Sequence, residues 1–514
     1  HMTTMAMNQG IKIEHTLHIG ITSRAFTGLA KQNLTCYQAI RELVDNAIAA
    51  RKKGKKASIW ISMATDSEDK NFVWLVLADW GLGMDLATLE NALQLGSLPI
   101  GEDRLNEHGF GIDNALSCLT ATNGGSWTLY THKLPGTYYK VSGPFDTCMV
   151  ASEAESVELP AGCEIGWENP STVYVLRVPL CVVQTLQNRG GKCTDMVTLR
   201  SWLVEHLGVA YRGYLDLDPV SMDPEAKIVV SVGDNRVAVP PIPVPMRVIH
   251  VERFELELGG KVVPVLYRYG TLDYDKRDHL VLGEKAKYYY QGNQTSQGID
   301  IRLGKRVLVT AQLQQIWTTA NGHTVTRHNR FNDFTGEVIL PELPRGVLST
   351  LNNKSGINLQ DPDWRNLYSA LSAYPPLENA FRDCERAMQE RWMSMLKAVT
   401  PDHDITDEVC VWPTGTRIDV LDAGTDDSLV IYEMKVKKGE PQHLYQLLMY
   451  WDGLVHTGRQ PTQAVLIVPH YTEDLAQMAE MINKTHTPPL LPDGRAGHPY
   501  NLQIATLDDK NLTA

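Results

Sequence analysis

The stretch AIRELVDNAIAA, residues 39 to 50, constrains the fold more than any other part of the chain. Its apolar residues recur at helical spacing and Thr35 supplies an N-cap just upstream, so the pattern predicts a largely buried helix. Yet Glu42, Asp45 and Asn46 lie within it, at offsets that set them along one helical face. Carboxylates and amides are costly to bury without partners. Something must therefore be waiting for these groups, and one pocket onto which all three converge is the expectation.

The chain has 514 residues, which suggests about three domains. With 43% hydrophobic and 21% charged residues it has an ordinary globular composition. The formal net charge of −12 rules out a general polycation, so any nucleic-acid contact must come from local basic patches. The 8 cysteines form no CxxC pair and no zinc-like cluster, and read as reduced thiols of a cytoplasmic protein. No run approaches the roughly eighteen apolar residues of a membrane span, and no membrane partner is expected.

After the first helix, ASIWISMA and NFVWLVLAD read as strands, the second apolar enough to be central. Glycine turns then open helices in DWGLGMDLATLENALQLGS and HGFGIDNALSCLT, and the strands GSWTLYTHK and STVYVLRVPL complete a helix-and-sheet domain, 1–180. Residues 181–375, with KIVVSVG, VVPVLYRYG and GIDIRLGKRVLVTA, read as a second α+β domain. An amphipathic helix at 377–399 and the boundary TPDHDITDE lead into a third domain, 376–514, with the order strand, strand, helix, strand. The expected class is α+β multidomain.

No GxxxxGK[ST] occurs, which excludes a P-loop. Three other elements do follow in order: Glu42 with Asn46, then Asp79-Trp80-Gly81-Leu82-Gly83 leading into Met84, then Gly109-Phe110-Gly111. A carboxylate on the helix can deprotonate water, and an amide oxygen is a hard ligand for Mg²⁺. Asp79, ending an apolar strand, can accept a hydrogen bond from an adenine amino group, and Gly81 and Gly83 let backbone approach a flat base. Gly109 and Gly111 precede a helix whose N-terminus offers free N–H groups to phosphates. Each element alone is commonplace. Their order, each at an element boundary, is far more restrictive.

Together they resemble the GHKL ATPases, and most of all MORC proteins and their prokaryotic relatives, with ELVDNAIAA, DWGLGMDLATLENALQLGS and EHGFGIDNAL as the three motifs. The resemblance implies a Bergerat-type α/β sandwich head that binds ATP with Mg²⁺. In it Glu42 is the general base, Asn46 the Mg²⁺ ligand, Asp79 the adenine reader, and Gly81, Gly83 and Met84 part of the nucleotide pocket. Gly109 and Gly111 cradle the phosphates, and Thr172 in NPSTVYVLRVP matches a late threonine near the adenine. Where MORC proteins carry a basic residue soon after the second lid glycine, this chain has Asp113.

Phosphoryl transfer is accelerated by positive charge against the terminal phosphate. Residues 330–368 resemble the MORC transducer, which implies that Lys354 in LNNKSG reaches the γ-phosphate from the second domain. Lys305 and Arg306 in RLGKRVLV are a weaker alternative and read as a hairpin turn.

In the third domain, strand alternation puts Glu433 and Lys435 on one face, and Asp419 lies in or at the end of the preceding strand. Two such strands can present Asp419 and Glu433 to one divalent metal with Lys435 beside it. Asp419, Glu433-x-Lys435 and then Gln446 and Tyr450 on the next helix resemble the RecB-like branch of the PD-(D/E)xK nucleases. That implies a restriction-endonuclease-like α/β domain in which Asp419 and Glu433 bind Mg²⁺ or Mn²⁺, Lys435 is catalytic, and Gln446 and Tyr450 sit near DNA. A further acid is expected from the preceding helix, with Glu378, Glu385 and Glu390 all open. KVKK at 435–438 makes a small basic edge suited to phosphates.

The expectation is an ATP-gated homodimer that clamps and cuts DNA, in prokaryotic defence and with other defence-system proteins as possible partners. Two rivals stand beside it: an ATP-gated DNA clamp with an inactive nuclease fold, and a chaperone-like ATPase.

Overall fold

The structure is a computed structural model that describes residues 24–25, 28, 34–94, 111–120, 124–215, 224–317, 325–348, 360–379, 381–510 and 512, with backbone only at 248–249 and 381–384. Helix α1 (Cys36–Ala49) begins at the expected cap, where the Thr35 N–H donates to Gln38 Oε1 at 2.9 Å. Ile40, Leu43, Val44, Ala47 and Ile48 pack into the largest core, against strands β1 (Ala57–Thr65) and β2 (Phe72–Asp79). Helix α2 (Leu86–Leu93) is capped by Asp85, which accepts from the Thr88 N–H at 2.8 Å, and α3 (Gly111–Thr120) lies against α1.

Strands β3 (Ser126–Thr131), β4 (Tyr138–Ser142), β5 (Ser152–Ala154), β6 (Thr172–Pro179), β7 (Ala226–Val232) and β8 (Asn235–Ala238) join β1 and β2 in an eight-stranded sheet of order β5-β4-β3-β6-β2-β1-β7-β8. β2 runs between β6 and β1 and is covered on both faces, which explains its near-continuous apolar sequence. The sheet continues past residue 180, the expected end of the first domain. Helix α4 (Met196–Ala210) buries Leu199, Leu203 and Leu207 in the same core, and β7 pairs parallel with β1.

A second, five-stranded sheet has the order β12-β11-β13-β10-β9, formed by β9 (Met246–Leu258), β10 (Lys261–Leu272), β11 (Gly298–Leu303), β12 (Arg306–Gln312) and β13 (Phe334–Leu340). Helix α5 (Pro362–Ser372) contributes Trp364, Leu367 and Leu371 to its core. A third sheet, again five-stranded, runs β14 (Asp404–Cys410), β15 (Arg417–Ala423), β16 (Leu429–Met434), β17 (Gln463–Val468) and β18 (Leu502–Thr506) in chain order. Its last three strands are parallel, a pairing that needs long crossovers, and α7 (Pro441–His456) and α8 (Glu473–Thr485) supply them. α7 and α8 cover one face, while α6 (Phe381–Val399) covers the other with Met388 and Trp392. The described residues thus form a mixed α+β protein with three sheets. Among the described residues no helix is long and apolar enough to cross a membrane, and the described cysteines are free thiols.

A buried ionic seam ties the first sheet layer to the second. Arg306 Nε and Nη2 each donate to Asp45, at 2.9 Å to Oδ1 and 2.9 Å to Oδ2, and the Tyr211 hydroxyl donates to Oδ1 at 2.7 Å. Beside it Arg212 bonds Glu337 at 2.6 Å and Asp300 at 3.1 Å, and Tyr290 OH donates to Asp300 at 2.6 Å. Arg306 does start β12 after a hairpin turn, as expected, but it faces inward. Lys305 pairs with Glu225.

Removing one partner of a buried pair strands the other charge, at a cost of roughly 3–5 kcal/mol. Arg306→Met should therefore lower the unfolding free energy measured by chemical denaturation by roughly 3–5 kcal/mol. Asp45→Asn on the Arg306→Met background should recover part of the loss; a double variant as weak as the sum of the singles would show that the two residues are not coupled.

Candidate active sites

The first site is organised around α1. Gly111, the first residue of α3, lies so close that a β-carbon there would come within 2.6 Å of Glu42 Oε2 and 3.7 Å of Asn46 Nδ2. Glu42 is buried and Asn46 half-buried, side by side one turn apart. The Asp79 loop docks on the other end of α1: Leu82 N–H donates to Ala50 O at 2.7 Å, and a β-carbon on Gly81 would lie 2.5 Å from that oxygen. Gly83 adopts φ +67°, and a β-carbon there would collide with His132 O at 1.8 Å, so only glycine fits. Two segments far from α1 in sequence thus meet on this one helix.

Asp79 ends β2 opposite Thr172 of β6, and Thr172 in turn lies opposite Thr131 of β3. The Thr131 hydroxyl bonds the Thr172 hydroxyl at 2.9 Å and accepts from the Met84 N–H at 3.1 Å. Asp79, Gly81, Gly83, Met84 and Thr172 are therefore gathered at one end of the sheet. Thr131 was not foreseen, because a threonine in SWTLYTHK looks like any other strand residue. Burial pushes the Asp79 carboxyl up to about 7, against the Gly81 N–H that donates to it at 2.9 Å.

One expectation fails. Asp45 does not join Glu42 and Asn46, since both its oxygens are committed to Arg306 and Tyr211. A helix turns 300° over three residues, which swings Asp45 toward the second sheet while the i,i+4 pair stays together. Gly109 and Lys354 lie outside the described residues. Asp113 is fully buried in the first turn of α3, and neither carboxylate oxygen has a hydrogen-bond partner among the described residues. Burial pushes its carboxyl up to about 8.

The second site lies where β15 and β16 part. Their ladder stops at Val420 opposite Tyr432; one step further would set Asp419 opposite Glu433, and there Asp419 Oδ2 accepts the Met434 N–H at 2.9 Å. Lys435, just beyond the strand, puts Nζ 2.7 Å from Glu433 Oε1. On α7, Gln446 Nε2 donates to Tyr450 OH at 2.6 Å, and Tyr450 is within electrostatic reach of Glu433. Of the three candidate acids, Glu385 faces the site, where it interacts with Lys435 and Asp419. Glu378 instead pairs with Arg330, and Glu390 with Arg386, both at the surface. Gln389, on the same helix, donates to the Asp419 carbonyl at 2.7 Å.

The electrostatics are those of crowded, buried acids. Burial and then Asp419 push Glu433 up to about 8, and burial also raises Asp419 and Glu385. Burial works against the Lys435 ammonium, but Glu433, Glu385 and Asp419 together outweigh it and raise its pKa. Glu433 Oε2 and Glu385 Oε1 are buried without a hydrogen-bond partner among the described residues, as suits carboxylates that receive a cation. No three His, Cys, Asp or Glu side chains among the described residues are drawn close enough to hold a metal as they stand.

No protein-family profile matches the chain, and no curated protein matches it. A solved structure described as the crystal structure of the N terminal domain of a DNA repair protein is similar at a TM-score of 0.36 and 13% identity, over 68% of this chain and 96% of that one. Function has to be read from the two sites.

The raised Asp113 pKa sets a pH signature. Below about pH 4 the carboxyl is protonated both folded and unfolded; between there and about 8 only the unfolded chain ionises, so stability falls as pH rises across that window. Asp113→Asn should raise the thermal midpoint at pH 8 and leave it unchanged at pH 4. Equal shifts at both values would mean that Asp113 is ionised in the folded chain.

Proposed function

We propose that the chain is an ATP-dependent, DNA-acting protein: a GHKL-type ATPase head and transducer joined to a PD-(D/E)xK-type nuclease. The observation that carries the reading is the convergence of two distant segments on α1, with Gly111 against Glu42 and Asn46 and the Asp79 loop against Ala50. In this reading Glu42 takes a proton from the attacking water, Asn46 orients the Mg²⁺ that accompanies ATP, and Asp79 accepts the adenine amino group. Gly111 leaves α3 free to approach the phosphates, and Lys354 completes the site from the second domain. Asp79 would bind that amino group best when ionised, hence above about pH 7. Two copies joined through ATP-bound heads would clamp DNA, and hydrolysis would release it.

At the second site, Asp419, Glu433 and Glu385 fit a divalent cation by their donor chemistry and by the buried oxygens of Glu433 and Glu385. Such a cation, Mg²⁺ or Mn²⁺, would supply the Lewis acid for phosphodiester hydrolysis. Lys435, held by Glu433, would position the attacking water and neutralise charge on the phosphate. The Lys435–Glu433 ion pair also favours a second reading, a DNA clamp whose nuclease fold does not cut, because that pair competes with cation binding.

Glu42→Ala should keep ATP binding and reduce turnover by at least about a hundredfold, the scale of a lost general base. Unchanged turnover would sink the α1 assignment. With Mg²⁺ or Mn²⁺, the parent should cut DNA while Glu433→Ala and Lys435→Ala do not; uncut DNA with the parent would select the inactive clamp. Because a cation must displace the proton from Glu433, its affinity should climb as pH approaches about 8 and then level off, with proton release measurable by calorimetry in buffers of different ionisation heat.

A further inference from the structure

The basic edge that follows Lys435 is already occupied. Lys437 Nζ lies 3.7 Å from Asp333 Oδ1, Lys438 Nζ lies 3.7 Å from Asp278 Oδ2, and His470 Nε2 lies 3.5 Å from the same Asp278 oxygen. Both aspartates belong to the second sheet's unit, and both lysines to the third. The backbone holds the edge in shape: Lys435 N–H donates to Ile467 O at 3.0 Å and Gly439 N–H to His470 O at 3.0 Å, so 435–439 runs on beside the end of β17. Lys437 is also within electrostatic reach of Glu385, which places the edge next to the Glu433 site.

The two acids are fixed in advance. Asp333 accepts from Tyr274 OH at 2.5 Å, and Asp278 accepts from Arg277 Nε at 2.8 Å. Their side chains are 13% and 12% exposed, while Lys437 and Lys438 keep 32% and 31%. Lys285 of the second unit lies in the same field as Lys438 and Arg277. In a chain of net charge −12, Lys437 and Lys438 of the third unit and Arg277 and Lys285 of the second are thus collected around two carboxylates beside a candidate phosphodiester-cutting site. Such ion pairs, still partly open to solvent, are weak. A polyanion that offers several phosphates in a row can displace them, because each lysine it neutralises releases counterions from the nucleic acid.

We infer that Lys437, Lys438 and His470 form a DNA-backbone-binding edge that Asp278 and Asp333 of the second unit cover, so that DNA and the second unit compete for the same side chains. The inference rests on the DNA-acting reading and deepens it: it names where the backbone docks and what restrains docking. A shift of the second unit relative to the third would expose the edge, which links events in the first two units to the nuclease site without any residue passing between the sites.

The test is the binding of the full-length chain to an end-labelled DNA duplex, by fluorescence anisotropy in EDTA so that cleavage plays no part. Asp278→Asn with Asp333→Asn, which keeps shape and removes charge, should tighten binding about tenfold and steepen the dependence of log K on log salt by about two, one for each freed lysine. Adding Lys437→Gln and Lys438→Gln to the aspartate variant should abolish that gain. An aspartate variant that binds like the parent overturns the inference, as does a gain that survives the lysine changes. If the double aspartate variant fails to fold, Asp333→Asn alone should steepen the salt dependence by about one, and an unchanged slope there overturns the inference. Should the parent bind while the aspartate variant shows no gain, only the covered edge is lost. If neither the parent nor any variant binds, the DNA-acting reading falls with it.

Discussion

The pairing of Asp45 with Arg306 is the contact on which the remaining geometry depends. Burying a carboxylate and a guanidinium costs several kcal/mol per ion, which is recovered only when both are fully hydrogen-bonded. Here two parallel N–H donors meet two oxygens and Tyr211 adds a third bond, a fork arrangement that only arginine provides. The pair fixes the roll of α1 about its axis. With Asp45 turned to the second sheet, Glu42 and Asn46 are turned to Gly111, so the ion pair sets the direction of the candidate catalytic face. It also makes the second sheet part of the first site's support, since a shift of β12 would drag α1 with it.

Glycine performs a related task on the opposite side. At Gly111 and Gly81 the missing β-carbon allows a helix start and a loop to touch α1 closely, and at Gly83 a left-handed backbone passes under His132. Side chains at these positions would push the segments apart. The first site is therefore defined as much by atoms the sequence omits as by those it supplies.

The second site follows a different logic, in which acids are crowded and burial raises the pKa of each. Glu433, Asp419 and Glu385 are drawn together where two strands diverge, and Lys435 offsets only part of their repulsion. Its neighbouring lysines, Lys437 and Lys438, are held by acids of another unit.

Much was legible in the residues alone. The helical period and Thr35 cap give α1, the apolar run gives a central β2, and the order of glycines with Asp79 predicts segments that do meet. Alternation brought Glu433 and Lys435 together, and short-range periodicity suffices for all of these because each depends on neighbours within a turn or two. The partner of Asp45, 261 residues away, was not legible, nor was the continuation of the first sheet through β7, nor the choice of Glu385 over Glu378 and Glu390. Those outcomes depend on which surfaces become adjacent after the cores pack, and a charged side chain takes whichever opposite charge the packing brings within about 3 Å. Sequence determined which groups needed partners; tertiary structure decided which partners they received, because desolvation makes an unpaired buried charge too costly to leave.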